Sequence, residues 1–256
     1  MYREHTIAVV IPALNEAELL PTTLEGLPEF IDYIIVVDDG STDATCKVTR
    51  QFDRSGVTLI SHSKNEGVGK AIGTGYRAAL DTKASLVVVM GADNQMCPEE
   101  IPRLLDPLVE DRADYTKGNR LGHPLHRESM PWLRRKGTWL LSYLTRYATG
   151  LEGVVDSQCG FTAITGLSLN RLPIEHLFPS YGYPNDLLSL LAVGQHRVLD
   201  VVVTPIYRTE TSNLKIHKVL MPISGILIRA FFRRLRSLKH PAHNLGQTRS
   251  SKDAIT

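Results

Sequence analysis

Cysteine is scarce in this chain: Cys46, Cys97 and Cys159 stand far apart and form no C-x-x-C pair. Neither a zinc cage nor a disulfide framework is indicated, and a reducing compartment fits best. Long apolar runs are missing as well. No stretch reaches the roughly 18 uninterrupted apolar residues that a membrane-spanning helix needs. The opening segment MYREHTIAVVIPALNE runs into Pro12, Asn15 and Glu16 instead of a small-residue cleavage site, so it does not read as a signal peptide. Charge of one sign is lacking too. A net charge of +2 and a pI near 8.4 are too mild for nucleic-acid binding through bulk electrostatics, so no nucleic-acid partner is expected and any basic site must be local. There is no internal repeat and no linker long enough to divide the chain into two globular domains.

Glycine-rich phosphate loops also fail on spacing. In SKNEGVGKAIGTGYRAAL, Lys64 stands where a Walker motif needs glycine and Ala71 where it needs Ser or Thr, and no G-x-G-x-x-G occurs. What the chain does have is enough apolar sequence, 43% of 256 residues, to bury one substantial core. Short runs rich in β-branched residues at Thr6–Ile11, Tyr33–Val37, Val57–Ile60 and Ser85–Met90 alternate with helix-like segments at Glu16–Leu27, Thr42–Phe52 and Gly69–Leu80. Apolar strands separated by helices predict an α/β architecture, a Rossmann-like and mostly parallel sheet flanked by helices, with a crevice at the C-terminal strand ends. Further along, Trp132–Gly150 reads as a helix, GFTAIT and HRVLDVVV as strands, and YPNDLLSLLAV as a loop entering a helix.

The segment Met221–His240 changes character abruptly. Projected as a helix, Ile223, Ile226, Leu227, Ala230, Phe231, Leu235 and Leu238 cover one arc, and Arg229, Arg233 and Arg236 the other. A basic amphipathic helix of this kind lies in a membrane interface, so peripheral membrane contact is expected through residues 219–239. The plain alternative is a terminal helix docked on the domain. Residues 241–256 are polar and aperiodic and are expected to be disordered.

Polar residues close each early strand: PALNEAE after the first, DDGSTDAT after the second, GADNQM after the fourth. In a parallel sheet these loops share one edge, so Asn15, Glu16, Asp38, Asp39 and Asp93 are predicted to gather in one crevice. Strand-end carboxylates can accept hydrogen bonds from a nucleobase and ribose, and those near phosphate need a cation between them. The alternative for DDGSTDAT is a turn and a capped helix, with Ser41 or Thr42 as N-cap and Asp43 at the helix start. That alternative leaves Asp38 without a task.

VVIPALNEAELLPTTLEGL, IIVVDDGSTDAT, NEGVGKAIGTGYRAAL and GADNQMCPEEIPRLL, in this order and spacing, resemble a family 2 glycosyltransferase of the GT-A fold. The branch is similar to the polyprenyl-phosphate sugar synthases that make dolichyl-phosphate mannose or glucose, and the likeness spans Ile7 to Lys215. It implies a catalytic domain over 1–215, followed by the amphipathic helix over 216–240 and the tail. It further implies that Pro12, Ala13, Asn15, Glu16, Lys70, Ala92 and Asp93 border the donor nucleotide, with Asp38 or Asp39 reading base and ribose. Asp93 and Gln95 match the metal-contacting positions of an Asp-x-Asp-x-Gln loop whose first acid is Gly91 here. Arg120 matches an arginine near the donor and acceptor phosphates, Arg134 or Arg135 is a looser match, and Arg208 and Lys215 match a cationic phosphate-binding stretch. Asp156–Phe161 matches a segment lining the sugar pocket.

The reaction so implied is inverting displacement at the anomeric carbon of a nucleotide-diphosphate sugar, with Mg²⁺ or Mn²⁺ stabilising the departing diphosphate. UDP-hexose is placed ahead of GDP-mannose as donor. A polyprenyl phosphate acceptor, dolichyl or undecaprenyl, is already ionised and needs no base, whereas a saccharide or small-molecule hydroxyl does, and Asp186 is then the candidate. The alternative for that position is helix capping by Asn185 or Asp186. The enzyme so read is peripheral on the cytoplasmic face of the inner membrane. A non-catalytic nucleotide-sugar-binding subunit is the remaining reading, raised by Gly91.

Overall fold

The computed structural model describes residues 1–124, 132–204, 206 and 216–239. The elements are β1 (Ile7–Ala13), α1 (Leu20–Glu25), β2 (Tyr33–Asp38), α2 (Thr45–Gln51), β3 (Val57–Ser61), α3 (Val68–Asp81), β4 (Leu86–Val89), α4 (Ile101–Val109), β5 (Tyr115–Asn119), α5 (Trp132–Thr149), β6 (Thr162–Thr165), α6 (Gly166–Asn170), α7 (Tyr183–Val193), β7 (Val198–Val202) and α8 (Ile216–Lys239). One seven-stranded sheet runs β3-β2-β1-β4-β6-β5-β7. β1 pairs in parallel with β2 and β4, β2 with β3, and β5 with β7; only β6 runs against its neighbours. The mostly parallel sheet expected from the alternation is therefore present.

Period-two alternation, with both faces covered, explains why β1, β2 and β4 are apolar along their length. Ile7, Val9 and Ile11 join Ile34, Val36, Leu86 and Val88 in a core layer shared with α1 and α4. Ala8, Val10, Ile35, Val37, Val87 and Val89 face the opposite layer, against α3 and α7. β1, β2 and β4, covered on both faces, stay apolar until they end. That is why the polar loops begin where they do.

Several boundaries differ from the sequence pattern. α1 starts at Leu20 with Pro21 in its first turn, because Glu16 and Ala17 give their N–H groups to Thr45 and Asp43 in the next loop. Ser41 and Thr42 are not caps: α2 begins at Thr45, and Ser41 Oγ and Thr42 N–H both bond Asn15. Neither Asn185 nor Asp186 caps a helix, since both lie inside α7 after Gly182, and YPNDLLSLLAV is helical throughout. α4 and β5 are not among the expected elements: α4 keeps Ile101, Leu104, Leu105 and Leu108 at helical spacing around Pro102 and Pro107, and β5 reads YTKGN, with no strand pattern.

α8, described over Ile216–Lys239, packs along α5 and α7. Ile223, Ile226 and Ala230 are buried, and Ile226 Cδ1 lies where a Cβ on Gly182 would meet it at 2.3 Å. Glycine at 182 is what lets the helix approach this closely. The docked-helix alternative thus describes the inward face of α8. Among the described residues no helix is long and apolar enough to cross a membrane.

Candidate active site

β2, β1 and β4 are adjacent in the sheet, so their following loops emerge side by side. Asn15 takes a left-handed conformation, φ 56°, which asparagine tolerates better than most residues. Its side-chain oxygen accepts the Thr42 N–H at 2.8 Å, and Ser41 Oγ accepts its own N–H at 2.8 Å. The first two loops are thereby locked together. Thr23 Oγ1 donates to the Ala92 carbonyl at 3.0 Å and ties α1 to the third.

The two aspartates after β2 have separate jobs. Asp38 accepts the Ser41 N–H at 3.1 Å and the Cys46 thiol at 3.1 Å, so a turn-and-helix reading does give it a task. Asp39 is buried and accepts the backbone N–H groups of Glu66 and Gly67 at 2.9 and 2.8 Å, with His62 Nδ1 at 2.7 Å. It holds the loop that starts α3 against the crevice. Lys70, in the first turn of α3, lines a cavity of about 250 Å³ beside that helix with Thr74, Arg77 and Glu175.

In GADNQM, Asp93 is half-buried and its Oδ1 accepts the Gln95 N–H at 3.2 Å. A Cβ on Gly91 would lie 2.9 Å from that same oxygen. Gly91 therefore leaves the space into which the Asp93 carboxylate folds. The donor set, one carboxylate with the neighbouring Gln95 amide at a crevice edge, suits Mg²⁺ or Mn²⁺, which keep several waters and take one or two carboxylates beside substrate phosphates. Among the described residues no group of three or more His, Cys, Asp or Glu forms a complete cage.

The same edge receives Arg120, just past β5, and the Asp156–Phe161 segment that leads into β6. Arg120 Nε and Nη2 fork onto Asp156 at 2.8 and 3.1 Å. Asp156 is fully buried; burial alone would raise its carboxyl, but the Arg120 charge and hydrogen bonds, with Lys117 beyond, hold it below the usual carboxylate range. Lys117 is also fully buried, pushed down by desolvation against the pull of Asp156 and Asp200, and bonds the Cys159 carbonyl. Asp200, in register with Lys117 on β7, accepts the Val155 and Asp156 N–H groups on Oδ2. Its Oδ1 is buried without a hydrogen-bond partner among the described residues, and burial raises this carboxyl to about 6. Arg120 is thus the outward end of a buried charge cluster that fixes its orientation.

Asp186 is fully buried in the first turn of α7. Its Oδ2 accepts the Phe178 N–H at 2.9 Å, while Oδ1 accepts from Arg229 Nη2 at 2.9 Å and Arg233 Nη1 at 2.8 Å. Two arginines expected to face lipid headgroups instead turn inward, because a buried carboxylate needs a compensating charge. Next to it, Asn185 bonds Gln158 Nε2 and Thr145 Oγ1, both at 2.7 Å, linking α7 and α5 to the Asp156–Phe161 segment.

Residues 8–170 match the family described as Glycosyl transferase family 2. The chain belongs to that family. UDP-N-acetylglucosamine–dolichyl-phosphate N-acetylglucosaminyltransferase of Methanococcus voltae is 29% identical over 221 residues, 80% of this chain and 87% of the relative. Undecaprenyl-phosphate mannosyltransferase of Micrococcus luteus is 28% identical over 79% of this chain and 84% of its own length. Glucosyl-3-phosphoglycerate synthase of Mycobacterium tuberculosis, solved with Mn²⁺, UDP-glucose and phosphoglyceric acid, superimposes with a TM-score of 0.66 at 23% identity, covering 90% of this chain and 80% of that one. The sheet and its flanking helices are the GT-A fold, and the chain is a glycosyltransferase.

In this glycosyltransferase the loops carrying Asn15, Glu16, Asp38, Asp39 and Asp93 emerge at one edge, as the strand order predicts, and Arg120 lies on that edge too. Pro12 and Ala13 end β1 there, and Ala92 is buried beneath the third loop. Arg135 lies in the first turn of α5, and Arg208 and Lys215 fall outside the described residues. His62, Lys117 and Asp200 were not legible as site residues. The available signal was a lone charge inside each of YTKGN and VLDVV, where an unpaired charge would be too costly to bury.

Proposed function

We propose that this glycosyltransferase moves a hexose, with inversion, from a nucleotide-diphosphate sugar to a polyprenyl phosphate at a membrane surface. The relatives from Methanococcus voltae and Micrococcus luteus carry names of enzymes acting on dolichyl and undecaprenyl phosphates, and they align with four fifths of the chain. The observation that carries the acceptor class is the pairing of Arg120, held at the crevice by a buried aspartate, with the commitment of Asp186 elsewhere. A phosphate acceptor needs a cation and no base. A hydroxyl acceptor needs a base, and both oxygens of its candidate are already engaged.

In this reading the Asn15–Glu16 loop and Asp38 hold the nucleoside, and Asp39 supports them by fixing the loop before α3. Asp93 and the Gln95 amide would hold Mg²⁺ or Mn²⁺, which would supply Lewis-acid stabilisation of the departing diphosphate. An acceptor phosphate oxygen attacks the anomeric carbon as the bond to the diphosphate oxygen breaks. Arg120 stabilises negative charge without moving a proton. UDP-hexose is placed ahead of GDP-mannose, and the enzyme is peripheral on the cytoplasmic membrane face.

The test offers UDP- and GDP-sugars to the purified protein with Mn²⁺, Mg²⁺ or chelator, and with a short-chain polyprenyl phosphate or a panel of saccharides. Metal-dependent sugar transfer to the lipid phosphate is expected. Transfer to saccharides alone, or full activity in chelator, refutes the reading.

A further inference from the structure

α5 is turned inside out. The side it lays on the domain carries Thr138, Ser142, Thr145 and Thr149, all buried, while Trp132, Trp139, Leu140, Tyr143, Leu144 and Tyr147 are exposed. A helix on a soluble domain normally does the reverse. Trp139 is 59% and Tyr147 66% exposed, so this is a face and not a row of partly hidden rings. It continues onto α8. Tyr147 stacks on Phe231 with centroids 5.9 Å apart, Phe231 meets Phe232 edge-on at 6.0 Å, and Ile228, Phe232 and Leu235 are exposed beyond them.

Charge decides what covers it. Neither Trp132–Thr149 nor Ile216–Lys239 contains an acidic residue. Lys136 lies over the Trp132 ring at 5.2 Å and Arg146 over Tyr143 at 5.9 Å, so cations accompany the aromatic stripe itself. Tryptophan and tyrosine flanked by snorkelling cations fit the boundary between acyl chains and anionic headgroups. A second copy of the same face would instead set cation against cation.

We propose that the outward faces of α5 and α8 form one surface that lies in the interface of an anionic lipid bilayer, with α5 supplying the Trp–Tyr stripe. This moves the lipid contact from the arc expected on α8 alone to a two-helix face. It also places the chemistry. On the reverse side of α5, Ser142 Oγ bonds Ser157 and Thr145 Oγ1 bonds Asn185, which holds Gln158. The Asp156–Phe161 segment is then about one helix diameter, roughly 10 Å, from the membrane surface. A phosphate on a membrane-held polyprenyl chain reaches the crevice across that distance; this last point rests on the acceptor class proposed above.

Trp132 and Trp139 are the only tryptophans in the chain, so intrinsic fluorescence reports on this face directly. The full chain is mixed with vesicles of phosphatidylcholine alone or with one third phosphatidylglycerol, with and without brominated acyl chains. A blue shift and bromine quenching on the anionic vesicles, weakened by salt, are expected. The variants W139S/Y143S and I228S/F232S each lose at least tenfold in vesicle binding and in transfer to vesicle-borne polyprenyl phosphate, while transfer to a water-soluble short-chain acceptor is unchanged. No spectral change with either vesicle overturns the proposal. So does a lipid-free dimer that these variants convert to monomer, which makes the face a protein interface. If vesicle binding follows the stripe but no polyprenyl phosphate accepts sugar, the acceptor reading fails and the surface stands.

Discussion

Replacing Asp186 by asparagine separates a structural latch from a catalytic base. The carboxylate is fully buried and accepts three hydrogen bonds, two of them from Arg229 and Arg233 of α8. Breaking a wholly buried ion pair by removing one partner costs about 3–5 kcal/mol. Here the arginines are 46% and 27% exposed and can turn to water, so the loss is discounted toward the roughly 0–1 kcal/mol of surface pairs. Asparagine still accepts the Phe178 N–H. The expected destabilisation is about 1–3 kcal/mol, and each kcal/mol lowers Tm by roughly 2–4 °C in a domain of this size.

Calorimetry and steady-state turnover are measured on D186N, R233Q and the double variant. The latch reading expects Tm to fall in both single variants, with a coupling of about 1–2 kcal/mol in the cycle. It expects kcat within about fivefold of the parent, whereas loss of a general base removes roughly 10²–10⁴. An unchanged Tm with collapse of kcat in D186N, not reproduced by R233Q, would refute the latch and restore a hydroxyl acceptor.

D93A is expected to abolish metal-stimulated turnover without lowering Tm, checked by activity across Mn²⁺ concentrations and by circular dichroism. G91A puts a Cβ 2.9 Å from Asp93 Oδ1, so the carboxylate must shift; the Mn²⁺ concentration for half-maximal activity should rise several-fold. Asp200 has a folded pKa of about 6, above the roughly 3.9 of an unfolded chain, so the folded state holds this proton more tightly. Its contribution to stability is therefore full below about pH 4 and is lost as pH rises through about 6. D200N should be more stable than the parent by about 1–3 kcal/mol at pH 7.5, with the difference shrinking toward pH 4, measured by urea unfolding.

The parallel half of the sheet was legible because β1, β2 and β4 are covered on both faces and so carry uninterrupted apolar runs. β5 was not. Its Lys117, Gly118 and Asn119 are poor strand formers, and the charge that favours a buried Lys117 cation, Asp156, arrives from a distant part of the chain. The crevice residues were legible for a related reason: β1, β2 and β4 stay apolar until they end, so their polar side chains begin where the loops do. The latch on Asp186 was not, because its arginines lie 43 and 47 residues away and local spacing carries no record of such a pair.

Periodicity by itself leaves open which face of a helix is buried. The 3.6-residue pattern in Trp132–Gly150 and Met221–His240 establishes that each helix has two unlike faces, but the pattern is the same whichever face meets the protein. On α8 Arg229 and Arg233 reach inward beside the buried Ile223, Ile226 and Ala230, because Asp186 makes part of the inner wall acidic and the rest is apolar. On α5 the inner wall is polar, built from Ser157 and Asn185, so threonines and serine go in and the aromatic rings are left outside. Which face is buried is set by the chemistry of the surface each helix lands on, and here that surface is the wall of the active site.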